Sequence, residues 1–217
     1  MSVLSIIEQY GVLPIIKMEK AEHAPKLAKA LKAANLPVGE VVFRTPNANE
    51  VIRGMLAEYP EMTLGAGTIL TNAQVDCAME AGASFMISPG MDPELTDYCL
   101  QKGTTPIPGC GTASEVQLCV KRGLRVVKLF PARFIGGVDF IHAIAAPFAG
   151  IKYIPTNGVG FETLEEYASS EHVCACAGIY PCPDQLIREE KWDEITALCI
   201  KAVETVKKAR AQARTEK

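Results

Sequence analysis

A lysine lies at the centre of a short apolar segment, and this setting is the clearest sign of chemistry in the sequence. Residues 125–131 read Arg-Val-Val-Lys-Leu-Phe-Pro. A run this short, rich in β-branched residues and ended by proline, is typical of a strand buried on both faces. Burial disfavours an ammonium group, and the neutral amine adds to ketones to form a Schiff base. Lys128 is therefore a candidate nucleophile. The alternatives are that its head group reaches water at the strand end or pairs with a buried carboxylate.

Three further polar residues are expected at the ends of neighbouring strands. Glu40 and Arg44 fall on one face of a predicted second strand, because side chains alternate along a strand. Thr68 follows Gly-Ala-Gly at the end of the third, where small side chains leave space. If these faces point inward, the three side chains and Lys128 converge on one cavity.

These residue types fit aldol cleavage through a Schiff base. The lysine condenses with a 2-oxo group, and the resulting iminium accepts the electron pair released when the C3–C4 bond breaks. Glu40 can move protons in these steps, and Arg44 can bind a substrate carboxylate through two parallel hydrogen bonds. Thr68 can add a hydroxyl donor to the same carboxylate. The alternatives are a structural ion pair between Glu40 and Lys128 and a surface charge at Arg44.

Strand-like runs alternate with helical patterns along the chain, and this alternation predicts the fold. Eight β/α repeats favour an α/β fold of the (β/α)8 TIM-barrel type, with an extra N-terminal helix before Val12. An open doubly wound sheet is the alternative, but no strand leads into a Gly-x-Gly-x-x-Gly turn. The sequence contains no linker, so we expect a single domain over residues 1–217. The predicted strands are 11–16, 38–43, 62–67, 84–88, 105–108, 126–130, 151–154 and 173–177, and the predicted helices include 21–34, 49–58, 72–81, 93–102 and 114–122.

Composition excludes several classes of partner. With a net charge of -3 and 48% hydrophobic residues, the chain has no sign of a nucleic-acid-binding surface. No apolar run approaches the roughly 20 residues that span a membrane, and the N-terminus lacks a basic leader, so we expect a cytoplasmic protein. The basic C-terminal residues are expected to form a solvated helix end that frays. They are Lys207, Lys208, Arg210, Arg214 and Lys217.

The cysteines are expected to be reduced thiols rather than metal ligands. The chain contains 8 cysteines, and a cytosolic compartment does not maintain structural disulfides. Cys174, Cys176 and Cys182 form the one cluster, but their spacings match no usual zinc pattern. We therefore predict no metal site.

Five motifs stand in a characteristic order along the chain. They are Glu40-Val41-x-x-Arg44-Thr45, Gly65-Ala66-Gly67-Thr68, Ile87-Ser88-Pro89-Gly90, Pro108-Gly109 and Lys128-Leu129-Phe130-Pro131-Ala132. Their order and spacing resemble the KDPG/KHG aldolase family over essentially the whole chain. These class I enzymes cleave 2-dehydro-3-deoxy-6-phosphogluconate or 4-hydroxy-2-oxoglutarate to pyruvate plus an aldehyde, which is glyceraldehyde 3-phosphate or glyoxylate.

The resemblance implies a role for each matching residue. Lys128 would be the Schiff-base lysine and Glu40 the general acid and base. Arg44 and Thr68 would hold the pyruvate carboxylate. Two further residues, Pro89 and Phe130, would shape the pocket. The resemblance also implies a homotrimer that takes a small 2-oxo acid as substrate and needs no metal or organic cofactor.

The two turns that would hold the far end of the substrate depart from the family pattern. The family has Pro-Thr-Gly-Gly and Gly-Gly-Ser there, whereas this chain has Pro-Thr-Asn-Gly at 155–158 and Ala-Gly-Ile-Tyr at 177–180. Because Ile179 replaces a hydroxyl donor by an apolar branch, we expect either weak binding of a 6-phosphate or a preference for an unphosphorylated 2-oxo acid. Lys17 and Arg133 could supply positive charge at the barrel mouth, or could be solvated rim charges. The predicted distal residues are Thr156, Asn157, Gly158, Gly178, Ile179 and Lys17.

Two other functions are compatible with the same barrel. One is a phosphosugar isomerase or epimerase, because fold alone does not fix function. The other is a catalytically silent, ligand-binding trimer, which the altered turns favour. The first leaves Lys128 without a clear role, and the presence of the complete set of catalytic residue types counts against the second.

Overall fold

The computed structural model describes residues 2–215, and it begins with the expected N-terminal helix. The hydroxyl of Ser2 accepts a hydrogen bond from the amide of Ser5 and so caps α1 (Val3–Tyr10). The helix ends at Gly11, whose φ of 67° lies in the left-handed region that glycine adopts readily. One face of α1 packs on the core through Ile7, which is fully buried.

The strands form a closed parallel ring, as the sequence predicts. The strands are β1 (Val12–Ile16), β2 (Val38–Val42), β3 (Thr63–Gly67), β4 (Phe85–Ile87), β5 (Thr105–Ile107), β6 (Gly109–Cys110), β7 (Val126–Leu129), β8 (Lys152–Pro155) and β9 (Cys176–Gly178). Among the described residues, a six-stranded sheet has the order β5-β4-β3-β2-β1-β9 and a three-stranded sheet has the order β6-β7-β8. Isolated bridges between Tyr153 and Val173 and between Thr156 and Ala177 connect the β8 and β9 segments. The predicted TIM-barrel fold is therefore confirmed.

The fifth predicted strand is divided into two, which differs from the prediction of one strand over 105–108. Pro108 separates β5 from β6 at the point where pairing changes from one neighbouring strand to the other, and its nitrogen has no hydrogen to donate there. Its carbonyl oxygen still accepts a hydrogen bond from the amide of Lys128 at 2.9 Å. As a result, β5 pairs with β4 and β6 pairs with β7, so this one segment closes the gap between the two sheets.

Helices follow the strands around the outside of the ring. Three of them begin at capping residues whose side chains accept amide hydrogen bonds, namely Thr71, Asp92 and Thr112. The helix predicted over 21–34 begins instead with a short 3-10 helix, Ala21–His23. The helices are α2 (Ala24–Ala33), α3 (Ala48–Glu58), α4 (Asn72–Glu80), α5 (Pro93–Gln101), α6 (Ala113–Lys121), α7 (Gly137–Ala145), α8 (Leu164–Ser169), α9 (Asp184–Arg188) and α10 (Trp192–Thr215).

The C-terminal basic residues do not all form a solvated helix end. Arg210, on α10, donates hydrogen bonds to the carbonyl oxygens of Glu8 and Cys174, both at 2.6 Å. This guanidinium therefore ties α10 to α1 and to the segment before β9. Lys207, Lys208 and Arg214 are exposed, as expected, whereas Lys217 lies outside the described residues. Within residues 2–215, no helix has both the length and the apolar character needed to cross a membrane.

The burial of the cysteines predicts how fast each thiol reacts. Cys77 is only partly buried, whereas the other thiols are buried. Burial raises the pKa of Cys99 to about 11 and those of Cys174 and Cys176 to about 12. Because the thiolate is the nucleophile, an aromatic disulfide reagent at neutral pH should react quickly with Cys77 alone in the native protein. All 8 thiols should react after unfolding in denaturant.

The control for this experiment is Cys77→Ser, which should remove the fast phase and leave the slow reactions unchanged. The measurement is the absorbance of the released aromatic thiol against time. A second fast thiol in the native protein would contradict the burial pattern.

Candidate active site

Lys128 and Glu40 meet inside the barrel. Partners in a parallel register point to the same face, so Glu40 shares the inner face with Ile15 and Gly65, and Lys128 shares it with Gly109 and Ile154. Lys128 is 4% exposed and Glu40 is 1% exposed. Their Nζ and Oε1 atoms lie 3.7 Å apart. Within the described part of the chain, neither carboxylate oxygen of Glu40 has a hydrogen-bond partner.

Glycines at two positions make room for these side chains. A Cβ atom on Gly67 would lie 2.0 Å from Oε1 of Glu40, so only glycine leaves the space that the carboxylate occupies. Gly109 lies opposite Lys128 in the register, and a Cβ atom there would lie 2.1 Å from the carbonyl oxygen of Pro89. The missing side chain thus lets the backbone at Pro89, which follows β4, approach β6 closely, and β6 pairs with the lysine strand β7.

Arg44 and Thr68 lie together just beyond the ends of β2 and β3. Nε of Arg44 donates a hydrogen bond to Oγ1 of Thr68 at 3.1 Å. Thr68 has a φ of 58°, which is uncommon for a β-branched residue and marks a sharp turn directly after the strand. Arg44 is exposed and Thr68 is partly buried, so the guanidinium lies at the mouth while Glu40 and Lys128 lie deeper.

Of the two residues predicted to shape the pocket, Phe130 lies near the lysine and Pro89 lies against Gly109 on the neighbouring strand β6. The Nζ atom of Lys128 lies 5.4 Å from the centre of the Phe130 ring, within the range of a cation–π contact. Phe130 and Pro89 are both partly buried, so each retains some exposed surface. The sequence could place Phe130 from strand alternation, but the approach of Pro89 depends on the missing side chain at Gly109.

The first distal turn, after β8, adopts left-handed backbone angles at two residues. Asn157 has a φ of 76° and Gly158 a φ of 84°. Thr156 is buried, and its hydroxyl donates to the carbonyl oxygen of Ile154 at 3.3 Å. The amide of Arg133 donates to the carbonyl oxygen of Asn157 at 3.1 Å, and the Arg133 side chain lies against Gly158.

The second distal turn, after β9, exposes an apolar side chain. Ile179 is 54% exposed at the C-terminal end of the strand, whereas Gly178 is buried next to the ring of Tyr180. Because β9 pairs with β1, this turn lies beside Lys17, which directly follows β1. Nζ of Lys17 lies 3.8 Å from Oδ2 of Asp184, the first residue of α9. The sequence alone does not single out Asp184, because acidic residues are common in the first turn of a helix.

No group of three or more His, Cys, Asp or Glu side chains within residues 2–215 is arranged to hold a metal ion. Cys174, Cys176 and Cys182 are buried in or near β9, whereas Glu40 belongs to β2 and Lys128 to β7.

Comparison with known proteins identifies the family of the chain. The family model for KDPG and KHG aldolase matches residues 3–198. The chain is 36% identical over 205 residues to the 2-dehydro-3-deoxy-phosphogluconate aldolase of Treponema pallidum, covering 94% of this chain and 98% of the relative. It is 39% identical over 204 residues to the KHG/KDPG aldolase of Escherichia coli K12, covering 94% and 95% respectively.

Solved structures extend this similarity to the fold. A KDPG aldolase from Legionella pneumophila, with pyruvate captured at low pH as a covalent carbinolamine intermediate, superposes with a TM-score of 0.89 at 32% identity, covering 93% of this chain and 98% of that one. An aldolase of Zymomonas mobilis ZM4 with 3-phosphoglycerate gives a TM-score of 0.85 at 32% identity, covering 93% and 94%. The chain therefore belongs to the KDPG/KHG aldolase family of lyases.

Proposed function

We propose that this chain is a class I aldolase in which Lys128 forms a Schiff base with a 2-oxo acid and releases pyruvate. The observation that carries the proposal is the buried contact of 3.7 Å between Lys128 and Glu40, whose oxygens have no other polar partner within residues 2–215. At this distance the carboxylate can take a proton from the lysine, and the neutral amine then attacks a ketone. The pyruvate carbinolamine in the Legionella pneumophila relative supports the same chemistry here.

The reaction can be followed bond by bond. The amine nitrogen of Lys128 bonds to C2 of the 2-oxo acid, the carbonyl oxygen takes up a proton, and loss of water gives the iminium. Glu40 then removes the proton of the C4 hydroxyl as the C3–C4 bond breaks. The aldehyde leaves, and the electron pair of the broken bond moves into the iminium to form an enamine. Protonation at C3 and addition of water release pyruvate and restore the lysine.

The carboxylate of the 2-oxo acid is proposed to bind at the ends of β2 and β3. Arg44 supplies a planar guanidinium, and its hydrogen bond to Thr68 orients it at the mouth. Thr68 can donate its hydroxyl to the substrate carboxylate while it accepts from Arg44. Phe130 and Pro89 are proposed to form the apolar walls that hold C3 near the lysine.

The far end of the substrate is proposed to lie between the turns that follow β8 and β9, lined by Thr156, Asn157, Gly158, Gly178 and Ile179. A phosphate placed against the exposed branch of Ile179 loses hydration without gaining a hydrogen bond from that side chain. We therefore propose a weakened preference for a phosphorylated substrate, with 4-hydroxy-2-oxoglutarate or another unphosphorylated 2-oxo acid favoured.

An isomerase or epimerase would leave the buried contact of Lys128 and Glu40 without a role, and the family relatives named as aldolases favour the lyase over a silent binding protein. The homotrimer, the single domain and the cytoplasmic location stay predictions.

The nucleophile can be identified by trapping. Borohydride added with pyruvate should reduce the Schiff base and attach the three-carbon unit to Lys128, detected by peptide mass spectrometry. Lys128→Ala should abolish both trapping and turnover, and Glu40→Gln should slow turnover while leaving slow adduct formation. Lys152→Ala, on the neighbouring strand β8, is the matched control and should still be trapped. A near-normal aldolase rate in Lys128→Ala would refute the mechanism.

The space at Gly67 provides a separate test of Glu40. In Gly67→Ala the new methyl group would lie 2.0 Å from Oε1 of Glu40, so the carboxylate must move away from the lysine. We expect kcat to fall about 100-fold, the size of a general acid–base contribution. Gly160→Ala is the control, because its methyl group would meet only the flexible carboxylate of Glu162 at 3.1 Å. Unchanged kcat in a folded Gly67→Ala protein would show that Glu40 needs no fixed position.

Substrate preference tests the role of Ile179. The ratio of kcat/KM for 2-dehydro-3-deoxy-6-phosphogluconate to that for 4-hydroxy-2-oxoglutarate should rise about tenfold in Ile179→Ser, because one hydrogen bond to a charged group is gained. Leu70→Ser removes another exposed apolar side chain, in the loop after β3, and should leave the ratio unchanged. A wild-type preference of several hundredfold for the phosphorylated substrate would contradict the proposal.

A further inference from the structure

Lys17 lies at the barrel mouth beside the second distal turn. Register and alternation place it there, because Ile15 pairs with Glu40 on the inner face and Lys17 is two residues further along the same side. On the neighbouring strand, Gly178 pairs with Pro14, so Ile179 and Lys17 follow adjacent strand ends. The lysine and the exposed isoleucine therefore both face the space proposed for the far end of the substrate.

Asp184 is the partner that holds Lys17. Oδ2 of Asp184 lies 3.8 Å from the ammonium nitrogen, and the two side chains are 26% and 37% exposed. The other oxygen, Oδ1, is buried and has no hydrogen-bond partner within residues 2–215. Within the described residues, Lys17 is the cation that pairs with this carboxylate. The contact therefore restrains the lysine and offsets its charge at the same time.

Other charges near the pair are more solvated. Glu19, Lys20 and Arg188 line the same cavity of about 190 Å³ beside Lys17 and Asp184, but all three are exposed. Water and salt screen exposed charges strongly, so their influence on a ligand at the mouth is smaller than that of the half-buried pair. His23 also lines this cavity, where it is buried and faces Glu190 at 3.5 Å.

We propose that Lys17 and Asp184 together select the charge of the aldehyde half of the substrate, with Asp184 as a positioning residue for Lys17. This inference rests on the proposed aldolase function and deepens it. A lysine paired with a carboxylate can donate hydrogen bonds to hydroxyl groups but presents little net positive charge. A phosphate dianion gains little from this lysine and is repelled by Asp184, whereas an uncharged hydroxyl-bearing aldehyde meets no such repulsion. The substrate class that fits best is an unphosphorylated 2-oxo acid with uncharged hydroxyl groups beyond C4. 4-Hydroxy-2-oxoglutarate, whose C5 is a carboxylate with one charge, is repelled less than a phosphate dianion.

The test runs the reaction in the direction of synthesis, with pyruvate and either glyceraldehyde or glyceraldehyde 3-phosphate. The measured quantity is the ratio of kcat/KM for the phosphorylated aldehyde to that for the unphosphorylated one. Asp184→Asn frees the charge of Lys17 and should raise the ratio about fivefold, as expected for one partly screened charge. Lys17→Met should lower the ratio, and the double variant should return close to the wild-type value because the net charge is restored.

Two controls separate charge selection from a structural effect. Asp184→Glu keeps the carboxylate and should keep the ratio, whereas a general disturbance of the turn would lower both rates together. The exposed pair Lys191 and Glu194, 3.5 Å apart at the start of α10, is the matched control. Lys191→Met and Glu194→Gln change the same charges without altering the ratio.

Trapping with borohydride and pyruvate distinguishes failure of this inference from failure of the proposed function. If wild type and Asp184→Asn both trap pyruvate but the ratio changes by less than about twofold, the Lys17–Asp184 inference is overturned while the aldolase proposal stands. If wild type does not trap pyruvate, the aldolase proposal itself fails. If Asp184→Asn does not fold, an unchanged ratio in Lys17→Met overturns the inference and a lowered ratio supports it.

Discussion

The contact between Lys128 and Glu40 inside a closed barrel is the constraint on which the rest of the site depends. Removing an ion from water costs of the order of several kcal/mol, and such a pair stabilises a fold weakly at best. Within the described residues, the carboxylate of Glu40 has no hydrogen-bond partner that would reduce this cost. The barrel meets this cost because its strands bury apolar side chains on both faces, as the fully buried pattern of β1 and β2 shows.

The demand for space around this pair explains residues that have no chemistry of their own. Gly67 is required by the carboxylate of Glu40, and Gly65 by the ring of Phe85, which a Cβ atom would approach to 2.1 Å. Gly109 admits the backbone of Pro89. The Gly-Ala-Gly segment is thus a consequence of placing large side chains from the neighbouring strands in the barrel interior. Glu40 and Phe85 can occupy the barrel interior only because no side chain projects from Gly67 and Gly65.

Much of this arrangement follows from the sequence, because alternation along a strand is local. The faces of Glu40 and Lys128 depend on alternation along one strand. The capped starts of α4, α5 and α6 depend on residues next to each other in the chain, and the contact of Arg44 with Thr68 depends on adjacent strand ends. Three features do not follow from the sequence. The break at Pro108 depends on pairing with two different neighbours, the bonds of Arg210 join segments far apart in sequence, and Asp184 meets Lys17 only because β9 lies beside β1.

The two ends of the site are held by different kinds of structure, and this difference separates chemistry from specificity. Lys128 and Glu40 belong to strands whose side chains are packed, so a change there disturbs the barrel. Ile179, Asn157 and Lys17 belong to turns beyond the strand ends, where a change of side chain leaves the ladders intact. Loop variation at the C-terminal face of a barrel can therefore alter which aldehyde is accepted while the lysine and carboxylate stay fixed. Ile179 in place of a hydroxyl donor, close to Lys17 with its partner Asp184, is a change of this kind.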